Sequence, residues 1–329
     1  MRIFALQNLK IMKIIGTGSA TPHLVVTNND LTKFLDTTDE WIRTRTGIQS
    51  RNILSTDTIT ELASKACLDC IKNAGVEAGE IDYLLCHTVV YDAIIPSLAT
   101  IIQDTIGTDC PTLDLNAACT GFIYALDVAD SLIKAGKAKK VLIVCAEEPS
   151  KFVDWNQRET CVLFGDGAGA VLVTEGGGDC KFHLKTQHTD ALFCGANYGN
   201  SPFDKTEEKC PYMFMKGKDV FKLAVQNSKK DIENVLTQAQ LSCKDVKYYL
   251  LHQANMRILE AIKGQLDLEE SQLPHNIEHT GNTSSASIPL LLDEMNKSEQ
   301  LSEGDVLVFS AFGAGFTSGA CLIKWGKNI

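Results

Sequence analysis

The 329-residue chain has no hydrophobic run long enough to cross a membrane, no long polar tract, and only eight prolines. The first absence argues against an integral membrane protein. The second, with 24 glycines beside those eight prolines, argues against extensive disorder. A basic surplus is missing too. The formal net charge of −10 argues against a nucleic-acid partner, and any acidic partner has to dock on a local basic patch. Residues 1–12, MRIFALQNLKIM, lack the apolar block and small-residue cleavage site of a secretory signal. They read as a short leader, with Met12 as an alternative start. Cys67 and Cys70 form a C-x-x-C with no second pair at zinc spacing, inside the helical pattern ITELASKACLDCIKNAG, and read as helix packing. The twelve cysteines are scattered through predicted strands and helices, which fits a reduced, cytoplasmic chain better than a disulfide scaffold.

With 44% hydrophobic residues, the chain can bury one large core or two fused ones. In TLDLNAACTGFIYALDVAD, Thr112 to Asn116 read as a buried strand, and Phe122, Leu126 and Ala129 recur at helical spacing after a turn of small residues. Cys119 lies at that junction. Unpaired N–H groups and the helix dipole favour negative charge there, so the expectation is a lowered thiol pKa and a nucleophile. That stretch alone does not separate a nucleophile from a packing cysteine.

A displacement of 165 residues brings the two halves into one register. IDYLLCH (81–87) falls on VKYYLLH (246–252), LNAACTGFIYAL (115–126) on TGNTSSASIPLL (280–291), and VLIVCA (141–146) on VLVFSA (306–311). His87 thus meets His252, and Cys119 meets Ser284 beside Asn282. Beyond Ala146 the register holds only if the first half carries an insertion before FGDGAGAVLV. A constant, ungapped offset predicts two duplicated α/β units. Their near-continuous apolar strands fit sheets covered on both faces, hence an α/β/α/β/α layering with halves at 13–180 and 181–329. The Cys119 and Asn282 turns are expected to face each other, with His252 ending a strand nearby.

These segments resemble β-ketoacyl-[acyl-carrier-protein] synthase III, the initiating condensing enzymes of type II fatty acid synthesis within the thiolase-like superfamily. The resemblance runs from about Lys13 to Trp325. It is carried by DTTDEWIRTRTGI (36–48), DLNAACTGF (114–122), LFGDGAGA (163–170), LLHQANMRI (250–258), HTGNTSSASIP (279–289) and AFGAGFTSG (311–319). It implies an acyltransferase that takes an acyl group from acyl-CoA onto Cys119 and condenses it with malonyl-[acyl-carrier-protein]. His252 and Asn282 then bind the malonyl thioester carbonyl, and the N–H groups of Cys119 and Gly315 form the oxyanion hole. Trp41, Arg45, Arg158, Gly217 and Asn255 fall on CoA-binding positions. Lys222, Gln253, Arg257 and Lys263 fall on the carrier-docking face, where Gly264 and Gln265 stand at positions that can be basic. Ile95 falls where a partner subunit caps the acyl pocket, so a homodimer is implied; no metal or other cofactor is.

Two further readings compete: a synthase III-like acyltransferase or ketosynthase of specialised metabolism, of polyketide or quinolone type, and an inactive carrier-binding partner subunit. The second tends to lack the nucleophile that Cys119 supplies. His87 reads as structural. His275 and His279 have helical metal spacing, but Pro274 and a loop-like context argue against a metal. The glycines of IIGTGSATP follow a strand but lack the third glycine of a dinucleotide fingerprint.

Overall fold

Alternation along the central strands sets the layering. The computed structural model describes residues 12–178, 180–195, 202–203 and 210–326. In chain order the first half contains β1 (Met12–Ala20), β2 (Leu24–Thr27), α1 (Asn28–Leu31), α2 (Asp39–Thr46), β3 (Ser50–Ile53), α3 (Ile59–Ala74) and β4 (Tyr83–His87). It continues through α4 (Leu98–Ile106), β5 (Thr112–Leu115), α5 (Gly121–Lys134), β6 (Lys140–Glu147), α6 (Arg158–Cys161) and β7 (Gly167–Glu175). The second half contains β8 (Lys181–Thr189), β9 (Leu192–Cys194), β10 (Met213–Met215), α7 (Gly217–Ala239), β11 (Tyr248–Leu251) and α8 (Met256–Leu266). It ends with α9 (Ile277–Thr280), α10 (Ser287–Lys297), β12 (Val306–Gly313) and β13 (Gly315–Lys324).

The first sheet has the order β1-β7-β6-β4-β5, and the second, read the same way, β8-β13-β12-β11. In both, one antiparallel edge strand leads through an antiparallel pair to parallel pairing, β6 with β4 and β12 with β11. That equivalence is the duplication in three dimensions. Along β6, Val141, Ile143 and Cys145 face a central core while Leu142, Val144 and Ala146 face an outer one. Along β12, Leu307, Phe309 and Ala311 share the central core, and Val308 and Phe312 join the other outer core. Side chains of period two on each sheet therefore define five layers: α3 and α4, a sheet, the central pair α5 and α10, a sheet, then α7 and α8. This is the thiolase-like α/β architecture.

Three local features have physical causes, and only the first departs from the sequence reading. The residues offset from β5 form α9, bounded by Pro274 upstream and by Gly281 at φ +64°. The insertion in the first half is the segment 148–166 between β6 and β7, where β12 and β13 are separated by Ala314 alone. The GTG of β1 is a packing device: a Cβ on Gly18 would sit 2.2 Å from the Ala66 carbonyl oxygen, so the strand lies directly on the α3 backbone. Cys67 and Cys70 are buried on that helix. The leader expected at 1–12 falls outside the described residues except for Met12, which is buried and opens β1. Among the described residues no helix is long and apolar enough to cross a membrane.

Candidate active site

The Cys119 turn and its duplicate are built alike. Cys119 lies in a 3-10 turn, Ala118–Thr120, that runs into α5; Ser284 opens a 3-10 turn, Ser284–Ala286, that runs into α10. The two turns meet at the floor of a cavity of about 620 Å³ lined by Ala118, Cys119, Asn282, Ser284, Phe312 and Ala314. Ser284 Oγ donates to Cys119 Sγ at 3.4 Å. Against expectation, the resting thiol is pushed up to about 12. Burial is the largest cause; the Ser284 bond opposes it, and the charge of Glu147 adds to it. Desolvation outweighs whatever the start of α5 offers, because Cys119 precedes the helix proper and lies among packed backbone.

Asn282 is pinned by backbone pairing to the first-half insertion, donating to the Leu163 carbonyl at 2.8 Å and accepting from Gly165 N–H at 3.1 Å. Its side-chain Oδ1 accepts from Ser284 N–H at 2.9 Å, which leaves the amide NH2 as the free donor end. His252 follows β11 and is buried, its ring edge-on to Phe312 with centroids 5.3 Å apart. Phe312 lines the cavity and His252 stands beside it. Burial lowers the imidazole to about 3, so it is neutral. Ser287 Oγ already accepts from Gln253 N–H (3.3 Å) and lies 2.8 Å from His252 Nδ1. With the Ser287 hydroxyl as donor to Nδ1, the ring proton sits on Nε2.

In the same cavity, Trp41 on α2 has two guanidinium groups over its ring, Arg45 at 4.6 Å and Arg158 at 4.9 Å from the ring centroid. Arg158 Nη1 also donates to the Asp36 carbonyl at 2.5 Å. Asn255 caps α8 through Arg257 N–H and donates to the Arg45 carbonyl at 3.1 Å, tying α8 to α2 along the cavity wall. Gly217 opens α7 on the same wall, and a Cβ there would meet only open space.

Other expected site residues are placed differently. Gln253 has no exposed surface: its amide donates to the Leu251 carbonyl and accepts from Asn276 N–H, so it cannot face a carrier protein. Lys263 is engaged by Glu260 at 2.7 Å and Glu270 at 2.5 Å. Lys222 is exposed on α7 outside the cavity, whereas Arg257 lines it. Gly315 pairs with Thr189 and does not line the cavity; Ala314 does, and Gly313 packs on the Cys119 amide. Ile95 is 83% exposed and does not line its own chain's cavity. Lys218 and the insertion residue Phe152 line the cavity without having been singled out in the sequence. Ser284 had a signal there, as the duplicate of Cys119. Among the described residues no group of three or more His, Cys, Asp or Glu is arranged to hold a metal.

A half-buried cysteine and an amide donor lining one cavity, with a neutral imidazole packed behind its Phe312 wall, on this layered fold, define the condensing-enzyme class. The chain matches the models for 3-oxoacyl-[acyl-carrier-protein (ACP)] synthase III over residues 113–191 and for its C-terminal region over 236–325. It is 43% identical over 318 residues to the beta-ketoacyl-[acyl-carrier-protein] synthase III of Xanthomonas campestris pv. campestris, covering 95% of this chain and 98% of that protein. The crystal structure of 3-oxoacyl-[acyl-carrier-protein] synthase III from Aquifex aeolicus VF5 superposes with a TM-score of 0.89 at 39% identity, covering 95% of this chain and 100% of that one. The priming beta-ketosynthase of the R1128 polyketide pathway superposes with a TM-score of 0.90 at 31% identity, covering 99% of each. The chain belongs to the 3-oxoacyl-[acyl-carrier-protein] synthase III family.

Proposed function

We propose that this enzyme takes a short acyl group from acyl-CoA onto Cys119 and condenses it with malonyl-[acyl-carrier-protein], the initiating step of fatty acid synthesis. The observation that carries the reading is one cavity lined by Cys119, Asn282 and the Trp41, Arg45 and Arg158 cluster, with the neutral His252 imidazole packed behind its Phe312 wall. Trp41, Arg45 and Arg158 grip the adenine end of CoA, and Gly217 and Asn255 flank the pantetheine arm. Cys119 attacks the thioester carbonyl and CoA leaves as its thiol, carrying away the proton of Cys119. Malonyl-carrier protein then enters the vacated tunnel. Loss of CO2 places negative charge on its thioester oxygen, where the His252 Nε2–H and the Asn282 NH2 receive it. The resulting carbanion attacks the acyl-Cys119 carbonyl and releases the thiolate, which takes one proton from solvent to restore the resting thiol. The Cys119 N–H is one donor for that oxyanion, and the lining position of Ala314 favours its N–H over that of Gly315 as the second.

The chemistry draws on no metal or redox cofactor. Arg257 and Lys218 at the mouth, with Lys222 beyond it, supply basic groups for an acidic carrier. The adjacent exposed Ile94 and Ile95, 75% and 83% exposed, suit a homodimer contact in which each Ile95 caps the other subunit's pocket. A cytoplasmic location fits the unpaired cysteines. The likeness to the R1128 priming ketosynthase supports a second reading, priming of a specialised pathway by the same chemistry.

Intact mass after exposure to acetyl-CoA tests the nucleophile. An acyl adduct that disappears in Cys119→Ser supports it, and no adduct, or one that survives the substitution, rejects it. A panel of acyl-CoA primers run against malonyl-carrier protein, with CO2 release measured, separates the two readings.

A further inference from the structure

Under the nucleophile turn lies a closed polar cluster that the proposed reaction does not use. His87 ends β4, Glu147 ends β6, and Ser285 lies in the turn before α10; none is more than 1% exposed. His87 Nε2 accepts from Ala117 N–H at 2.9 Å, so the single proton of the neutral ring is on Nδ1. Nδ1 lies 3.0 Å from Glu147 Oε1 and 2.8 Å from Ser285 Oγ. The Ser285 hydroxyl donates to Glu147 Oε1 at 2.6 Å, and Val89 N–H donates to Oε2 at 3.3 Å. An imidazole N–H, a hydroxyl and a peptide N–H thus converge on one carboxylate. That donor set satisfies an anion. A doubly protonated ring would turn an N–H against Ala117 N–H.

Each link of the cluster ends at the site. Ala117 is two residues before Cys119, Val89 lines the cavity, and Ser285 follows Ser284, the donor to Cys119 Sγ. The His87 ring also fills the space at the start of α5, where a Cβ on Gly121 would come within 1.9 Å of it. Burying a carboxylate among neutral groups is costly, and an apolar trio would pack there without that cost. The charge therefore points to a use. It opposes a second negative charge nearby, and Glu147 is among the groups that raise the Cys119 thiol, after burial.

We propose that Glu147 and His87 are positioning residues for Cys119: Glu147 orients the His87 ring, and the ring anchors the turn backbone at Ala117. This rests on Cys119 being the nucleophile. The test compares two substitutions of His87. Gln can still accept from Ala117 N–H, whereas Asn is too short to reach it but can still donate to Glu147. His87→Asn is expected to lose several-fold more acyl-loading kcat than His87→Gln, with similar KM for acyl-CoA. Equal loading by the two His87 variants overturns the anchor. Failure of acyl loading in the unaltered enzyme, with Cys119 alkylation intact, would instead count against the condensing reading.

Discussion

Ser284 Oγ lies 3.4 Å from Cys119 Sγ, and the two residues are 165 positions apart, the displacement that carries one half of the chain onto the other. The nucleophile of the first half is therefore hydrogen-bonded by its own counterpart in the second. Removing that donor in Ser284→Ala is expected to slow acyl loading about tenfold, since a hydrogen bond to a developing thiolate is worth roughly 1.5 kcal/mol. Ser284 has φ +53°, so Ser284→Gly, which relaxes the backbone, separates loss of the hydroxyl from strain. Single-turnover loading with both variants checks this; equal loss in the two assigns the effect to the hydroxyl.

The two halves of the proposed reaction come apart at His252. His252→Ala is expected to form the acyl-enzyme but to lose about 100-fold or more in condensation, the usual effect of deleting one donor to a developing oxyanion. Because burial lowers this imidazole to about 3, it stays neutral from pH 5 to 8. The condensation rate should then show no inflection near 6.5 that disappears on substituting His252.

How much of this was legible in the sequence differs by feature. The duplication offset anticipated the matching strand orders of both sheets and the meeting of the Cys119 and Asn282 turns, because strands and turns are written in local periodicity. Gln253 was assigned to the carrier-docking face through the resemblance alone, which carries over a position but not its burial. Only tertiary packing shows that the Gln253 amide is consumed by Leu251 and Asn276. The resemblance put the second oxyanion donor at Gly315, whereas Ala314 is the residue of that turn that lines the cavity; a glycine-rich turn carries no periodicity to set register. The thiol expectation failed for the same kind of reason: a helix start is local, while the burial that dominates Cys119 comes from both halves.

At the tunnel mouth, Trp41→Ala is expected to raise KM for acyl-CoA about tenfold with little change in kcat. Stacking and cation–π contact of about 1–2 kcal/mol act on a part of the substrate remote from the reacting carbonyl. Steady-state kinetics would check it. A loss confined to kcat would place Trp41 outside the CoA path.

Glu148, beside Glu147 but facing Lys151, gives a stability prediction with a definite sign. Burial raises its carboxyl from 4.5 to about 7, opposed by Lys151 at 2.9 Å. The folded state thus holds this proton to higher pH than the unfolded chain. The associated stability is present below about pH 4.5 and lost as pH rises through 7. Glu148→Gln removes the buried charge and should stabilise the protein at pH 8 by up to roughly 3 kcal/mol, with the difference vanishing near pH 4.5. Denaturant melts at the two pH values test it, and an equal difference at both would exclude titration of Glu148 as the cause.

Gly313 carries the strictest steric demand on the nucleophile. A Cβ there would lie 2.7 Å from the Cys119 amide nitrogen, 3.0 Å from Ala118 Cβ and 3.1 Å from the Thr120 amide nitrogen. Two of these neighbours are backbone, so relief requires moving the turn itself rather than swinging a side chain. Gly313→Ala is therefore expected to cost about 1–3 kcal/mol of stability through overpacking. A nucleophile displaced by about 1 Å should load acyl groups up to about 100-fold more slowly. Gly79→Ala, where a Cβ meets nothing within 4 Å, is the matched control for adding a methyl group. Loading rates and melting temperatures for the pair decide it. If Gly313→Ala loads as fast as the unaltered enzyme, the turn is not held where the cavity geometry puts it.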